Sequence, residues 1–316
     1  MSWQEKYEEM IYLFQSEDYT RRFLRDIYQQ KKIIEANEKS YENYAVFAQH
    51  MKQGIEYLST LSNIPISIKP TLLYYGMIHF LKACMLVEDP YYPRNTQVLA
   101  HGITTRRKKK KQYDFFYDEI KIQSTGLFPL VSEKMFHVKL CVHEKYSLLC
   151  LFYHLAELAF LFRELRNETI AIPAKTIDPF TLSMPKHAYK EYVKMTPSYH
   201  DGRITNCQDT ILISFSKPIS PFVSFPFAYT VTNDVYLLTN QPKEPLIHEI
   251  LVHYALLYYV SMLSRYDANC WLHLLQPAND EYLFLLKYLD IASKKIPLFT
   301  FEYLLQKAEG VWAPTE

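Results

Sequence analysis

His248-Glu249-Ile250-Leu251-Val252-His253 is the closest approach in this chain to a metal-binding motif, and its spacing is wrong. In H-E-x-x-H the two histidines stand four apart on one face of a helix. Here they stand five apart, about 140° around an axis turning roughly 100° per residue, so they cannot hold one ion between them. No metal is expected. The five cysteines, at 84, 141, 150, 207 and 270, form no C-x-x-C pair. They offer neither a zinc site nor a disulfide framework, and are expected to act as small buried hydrophobes in a reducing compartment. The six glycines lie more than twenty residues apart. G-x-G-x-x-G, G-x-x-x-x-G-K-[ST] and G-x-S-x-G each need two glycines within a few residues, so none is present and no nucleotide cofactor is implied. Eleven histidines can be paired on paper with serines or cysteines, but no local signature selects a triad. The strongest charge feature is Arg106-Arg107-Lys108-Lys109-Lys110-Lys111, six consecutive cations in a chain of 35 Lys+Arg and 34 Asp+Glu. Such a run can meet nucleic acid, a phosphate or an acidic protein face. Tyr113, Phe115, Phe116 and Tyr117 follow it, and can either stack on the bases of single-stranded RNA or re-enter the core.

The elements that must position these groups can be read from composition and periodicity. Forty-nine per cent apolar residues, with 27 Tyr and 19 Phe, is enough for a substantial core and too much for disorder. The first ten residues carry three glutamates and no apolar run, so no secretory signal is read. The most apolar stretch, 148–162, is interrupted by His154 and Glu157 and is shorter than the ~20 residues a bilayer requires. The expected location is the cytoplasm, with no membrane partner.

Helical spacing of Tyr44, Phe47, Met51, Ile55 and Leu58 predicts a helix over 41–61. Pro70 suits a first turn and Asp89-Pro90 a stop, which sets a helix over 71–88. Ser147 is the expected N-cap of a helix running to Arg166, with Leu151, His154, Leu155 and Leu158 on one buried face. Residues 113–146 carry no clear signal. Between 167 and 243 prolines break the chain, and 211–215, 222–225, 229–231 and 235–238 read as strands, with a turn at Asn233-Asp234. Helices return over 246–264, 281–289 and 301–307. The expected architecture is mainly α: a helical region 1–166, a Pro-rich β-containing insertion 167–243 with a small antiparallel sheet, and C-terminal helices 244–316 packed on the first region.

The segment Lys69-Pro70-Thr71-Leu72-Leu73-Tyr74-Tyr75-Gly76-Met77-Ile78-His79-Phe80-Leu81-Lys82-Ala83-Cys84, with Ala100-His101-Gly102, resembles the YaaC-like proteins of Bacillus and relatives. So do Ser264-Arg265-Tyr266-Asp267, Trp271 and Pro297-Leu298-Phe299, and the resemblance spans the chain. The helix carrying the Tyr-Tyr pair and a central histidine is also similar to the HEPN helical bundles, some of which are metal-independent ribonucleases with an R-x4-6-H signature. Arg94 and His101 fit it as R-N-x5-H. That resemblance implies a ribonuclease in which His101 moves the 2′-OH proton while Arg94 holds the phosphate. The lack of an active-site signature, with 27 Tyr and 19 Phe of a class favoured at interfaces as well as in cores, points instead to a non-catalytic interaction and regulatory protein. Genes of the YaaC-like family tend to lie beside purine-synthesis genes, notably that for IMP dehydrogenase. This makes that enzyme the candidate protein partner, with a homodimer, a nucleotide or RNA as the other ligands to consider.

Overall fold

The computed structural model describes residues 9–108, 114–195, 202–216, 218, 226–239, 247–277 and 279–312. It is mainly helical. Helix α1 (Glu17–Gln30) packs on α2 (Ala36–Ser59), and α2 on α3 (Lys69–Glu88). Glycine makes the second contact close: a Cβ on Gly54 would stand 2.5 Å from the Phe80 ring.

Helix α3 is the centre of the fold. Thirteen of its residues are buried, among them Leu73, Tyr74, Met77, Phe80 and Leu81. Pro70 sits in its first turn and it ends at an extended Asp89, as the sequence predicts. Among the described residues it is the one helix long and apolar enough to cross a membrane, and neighbours cover most of it. Its C-terminal end is tied on two sides. The ammonium of Lys31, one residue past α1, donates to the Val87 and Glu88 carbonyls at 3.0 Å each, taking up orphan acceptors of the last turn. The Glu88 carboxylate then binds Lys31 and Lys307, both at 2.6 Å.

A three-stranded antiparallel sheet follows: β1 (Ile103–Arg106), β2 (Glu119–Ile122) and β3 (Lys145–Ser147), with α4 (Leu127–Phe136) between the last two. The sequence does not announce it, because strands of three or four residues are too short for an alternating pattern to emerge.

The helix expected over 147–166 is broken. Ser147 does cap its start, accepting from the Cys150 N–H at 3.2 Å. However, α5 (Leu148–Phe152) stops, Leu155 is extended, and a 3-10 turn (Ala156–Leu158) leads into α6 (Ala159–Arg166). His154 Nδ1 contacts the Cys150 carbonyl oxygen at 3.0 Å, within the turn where the helix ends. Leu151, His154, Leu155 and Leu158 are all buried, although no single helix presents them. Leu155→Ala should therefore cost roughly 2–5 kcal/mol in chemical denaturation. A loss of a few tenths would mean that the segment lies at the surface.

Residues 171–238 hold a second, six-stranded antiparallel sheet: β4 (Ala171–Asp178), β5 (Thr181–Pro185), β6 (Arg203–Asn206), β7 (Thr210–Ser214), β8 (Phe227–Tyr229) and β9 (Val235–Leu238). Their order is β6-β7-β5-β4-β9-β8. The sheet has an apolar core of its own, in which Leu182, Met184, Ile211 and Ile213 meet Tyr192 of α7 (Tyr189–Met195). The sequence finds β7, β8 and β9 within a residue or two, whereas its strand at 222–225 lies outside the described residues. It misses β4 and β5 because their prolines read as breaks. Pro173 is tolerated where β4 pairs with β9 alone, since pairing to β5 begins at Lys175.

Helix α8 (Glu249–Tyr266), α9 (Ala268–Leu274) and α10 (Asp280–Trp312) complete the body. The two helices expected after 280 are one. Phe284, Tyr288 and Ala292 before Pro297 are buried, as are Phe301 and Leu304 after it, so packing carries the helix through the lost backbone bond. The cysteines are free. Cys84 and Cys270 are buried as expected, while Cys141 and Cys207 are exposed.

Candidate functional site

His101 sits where the chain turns into β1, and a pair of glycines shapes that turn. Gly102 (φ 80°) and Gly126 (φ 125°) both occupy the left-handed region, and a Cβ on Gly126 would lie 2.4 Å from the Gly102 backbone. The turn is closed by Leu127 N–H donating to the Ala100 carbonyl at 2.7 Å and by Phe128 N–H donating to that of His101. The Tyr254 hydroxyl donates to the same His101 carbonyl at 2.8 Å. His101 Nδ1 lies 2.7 Å from the Tyr74 hydroxyl. Burial holds the Tyr74 phenol far above its ordinary pKa, so it stays protonated and can donate to the ring. The His101 pKa is lowered, first by burial and then by the cations Arg265 and Lys82.

Arg94 is elsewhere. Its guanidinium grips the Asp89 carboxylate through Nε at 2.5 Å and a second N–H at 3.1 Å, at the C-terminal end of α3. His101 is held at Tyr74, fourteen residues before Glu88, about 21 Å along the helix axis. The R-x6-H pair is therefore not brought together, because the segment between them runs back along α3.

The basic run is paired with carboxylates as far as it is described, although Arg106 and Arg107 stay exposed. Lys108 binds Glu119 at 2.5 Å, Arg106 lies 3.9 Å from the same carboxylate, and Arg107 binds Asp267 at 2.5 Å. The Lys108 N–H donates to buried Asp118 at 2.6 Å. Lys109, Lys110 and Lys111 lie outside the described residues. Phe115 and Phe116 are buried, so these two rings return to the core. His248 and His253 take structural places. The first accepts from the Ile250 N–H at 3.1 Å as the N-cap of α8, and the second is buried against Tyr288.

What the sequence did not single out is a half-buried valley along α3, with α2 on one side and α8 on the other. Tyr75, His79 and Lys82 recur at i, i+4 and i+7, the one stripe of α3 that reaches solvent between Leu73 and Met85. From α2, His50 Nδ1 meets His79 Nδ1 at 2.9 Å, and Tyr57 stacks on His79 at 5.7 Å and on Tyr75 at 6.5 Å. From α8, an Arg265 N–H donates to the Tyr75 hydroxyl at 3.1 Å, and its guanidinium lies over the Tyr75 and Tyr266 rings. Burial lowers both imidazoles, His50 to about 4, and lowers Lys82 as well. No carboxylate offsets any of these shifts.

A second surface feature lies where α2, α6 and α10 meet. A groove of about 970 Å³ has Leu73, Leu161 and Leu289 among its lining residues, together with the exposed side chains Phe160 (62 %), Leu283 (39 %) and Leu286 (47 %). Its charged groups are Lys69 and Lys287 against Glu157 and Asp290, which leaves it without net charge.

The family of YaaC-like proteins matches residues 12–304, nearly the whole chain. The chain belongs to the YaaC-like family. No curated protein and no solved structure matches it. The match takes in every group of the valley and of the apolar groove. Three of the stretches that carry the resemblance, 69–84, 100–102 and 264–267, converge on the valley: Tyr75, His79 and Lys82 from the first, His101 from the second, Arg265 and Tyr266 from the third.

Proposed function

We propose that this protein is a non-catalytic cytosolic regulator, an HEPN-like helical scaffold that docks another protein through the groove between α2, α6 and α10. The observation that carries the proposal is the solvent exposure of Phe160, Leu283 and Leu286 around an apolar groove with no net charge. Exposed leucines and phenylalanines gathered in one place, rather than scattered, mark contact surfaces. The ribonuclease alternative draws no support from Arg94, which is committed to Asp89. IMP dehydrogenase, an enzyme of purine nucleotide synthesis, is the first partner to test.

The experiment is sedimentation of the purified protein alone and with purified IMP dehydrogenase, beside incubation with total RNA. The expected result is a complex in the mixture and intact RNA. Leu286→Asp should weaken the complex by tenfold or more, since it buries a charge at a contact. A self-associating protein whose dimer Leu286→Asp disrupts would make a second copy the occupant. Cleavage of RNA that is lost in His101→Ala would overturn the proposal.

A further inference from the structure

We propose that the valley over α3 binds a phosphate-bearing small molecule, with its phosphate oxygens received by Lys82, Arg265 and the imidazoles of His79 and His101. This inference concerns a different surface from the docking groove and stands or falls apart from it.

Charge accounting is the first argument. Two lysines among the described residues are held below their ordinary pKa by burial, Lys31 and Lys82. Lys31 has its counter-ion, Glu88, at 2.6 Å. Lys82 makes no ion pair among the described residues, and no acidic group acts on it. Arg265 is likewise without a carboxylate. Its Nε–H goes to the Ser261 carbonyl at 3.0 Å and one further N–H to the Tyr75 hydroxyl. Half-burying two cations without an anion is unfavourable, and a bound anion removes the penalty.

Geometry is the second. Tyr75, which anchors Arg265, and Lys82 stand seven residues apart on one face of α3, about 10 Å along its axis. Lys82 and the Arg265–Tyr75 contact thus flank His79 on that face. His101 is close enough to feel both Arg265 and Lys82. To receive the phosphate, His101 carries its neutral-ring proton on Nε2, with Nδ1 accepting from the Tyr74 hydroxyl 2.7 Å away. To receive it likewise, His79 accepts at Nδ1 from the His50 Nδ1–H 2.9 Å away and carries its own proton on Nε2.

Charge number selects the anion. Two cations with neutral imidazoles balance a phosphate dianion, whereas a carboxylate would neutralise only one of them. The tyrosines beside them, with Tyr266 71 % exposed, offer a face for a flat ring on the phosphate ester.

The test titrates the wild-type protein with inorganic phosphate and, separately, with adenosine monophosphate, read by calorimetry and by the histidine ring resonances. Saturable binding is expected, shifting the signals of His50, His79 and His101 and leaving those of His137, His143 and His187 in place. Lys82→Met should weaken binding roughly tenfold or more, the loss of one charge-assisted contact. Its melting temperature should hold or rise, because it removes an unpaired half-buried cation. Equal affinity for the two probes would make the site a phosphate subsite, and tighter binding of the nucleotide would add a ring contact at the tyrosines. The absence of saturable binding by either probe would overturn the proposal. So would shifts confined to other histidines, or affinity unchanged in Lys82→Met.

Discussion

Lys295→Met will lower the stability of this protein by about 3–5 kcal/mol, the usual consequence of removing one partner from a buried ion pair. Lys295 of α10 is fully buried, and its ammonium reaches Glu249 at 2.5 Å and Glu157 at 2.9 Å. These carboxylates belong to the first turn of α8 and to the 3-10 turn that breaks the expected helix, so one ammonium joins three elements. Burial by itself would raise the Glu249 pKa, but the Lys295 charge and the neighbouring His253 outweigh it and hold the carboxyl at about 2. The stabilisation from Glu249 is therefore complete above the ordinary glutamate value near 4.3 and is lost as pH falls through 4 towards 2. Burial works against the Lys295 charge, and the two carboxylates overcome it, raising its pKa. Its contribution is complete below the ordinary lysine value and is lost at still higher pH. Urea denaturation of the wild type between pH 3 and 8 should show stability falling on the acid side. In Lys295→Met that acid-side loss should shrink or reverse, because protonating the orphaned carboxylates becomes favourable. Replacing Lys295, Glu249 and Glu157 together by methionine should recover most of the stability, as apolar replacements of whole buried ion pairs do. A single variant within half a kcal/mol of wild type would show that water reaches the cluster.

The sequence makes this network hard to foresee, and for the same reason it hides most of the valley. Glu157, Glu249 and Lys295 are local to different helices, and only tertiary packing unites them. The same holds for His50, His79, His101 and Arg265, which come from α2, α3, the turn before β1, and α8. What is local is legible. Pro70 and Asp89-Pro90 bound α3 because proline acts on its immediate neighbours, and Ser147 caps a helix start because its oxygen reaches an N–H three residues on. The spacing of Tyr75, His79 and Lys82 sets them on one helix face, although nothing in the sequence says that α2 and α8 leave that face open. Arg94 and His101 show why such a spacing leaves their approach open. Over seven residues a chain containing extended stretches rises up to ~3.3 Å per residue, enough to carry the two side chains to distant turns of α3. Proline is a reliable stop in one place and a misleading one in others. It ends α3, yet it lies inside β4 and α10, where a strand with one open side and a helix with apolar contacts before and after it absorb the missing donor.

The aromatics after the basic run admit two readings from sequence, RNA stacking or core, and Phe116→Ala separates them by stability alone. Asp114 fixes the local turn, its carboxylate accepting from the Phe116 N–H at 2.9 Å and opening a 3-10 turn over Phe115–Tyr117. That turn drives Phe116 inward. Its ring meets Phe284 of α10 edge-on at 5.1 Å, Phe152 of α5 at 5.6 Å and Phe162 of α6 at 6.3 Å. The Arg166 guanidinium lies over it at 4.7 Å. Truncating a ring so enclosed removes its transfer energy, leaves a cavity and forfeits several edge-to-face contacts, about 3–5 kcal/mol in all. Urea denaturation should show that loss for Phe116→Ala, whereas Tyr117→Ala, with Tyr117 42 % exposed, should cost far less. The difference between neighbours matters more than either value, because a surface stacking platform would make the two substitutions equally mild in stability and equally harmful to RNA binding. A Phe116→Ala protein as stable as wild type would return these rings to the surface and reopen the RNA reading. The loss expected here makes them the bolt between α5, α6 and the C-terminal helix, with Asp118, one residue past the turn, fixing the third residue of the basic run through the Lys108 N–H.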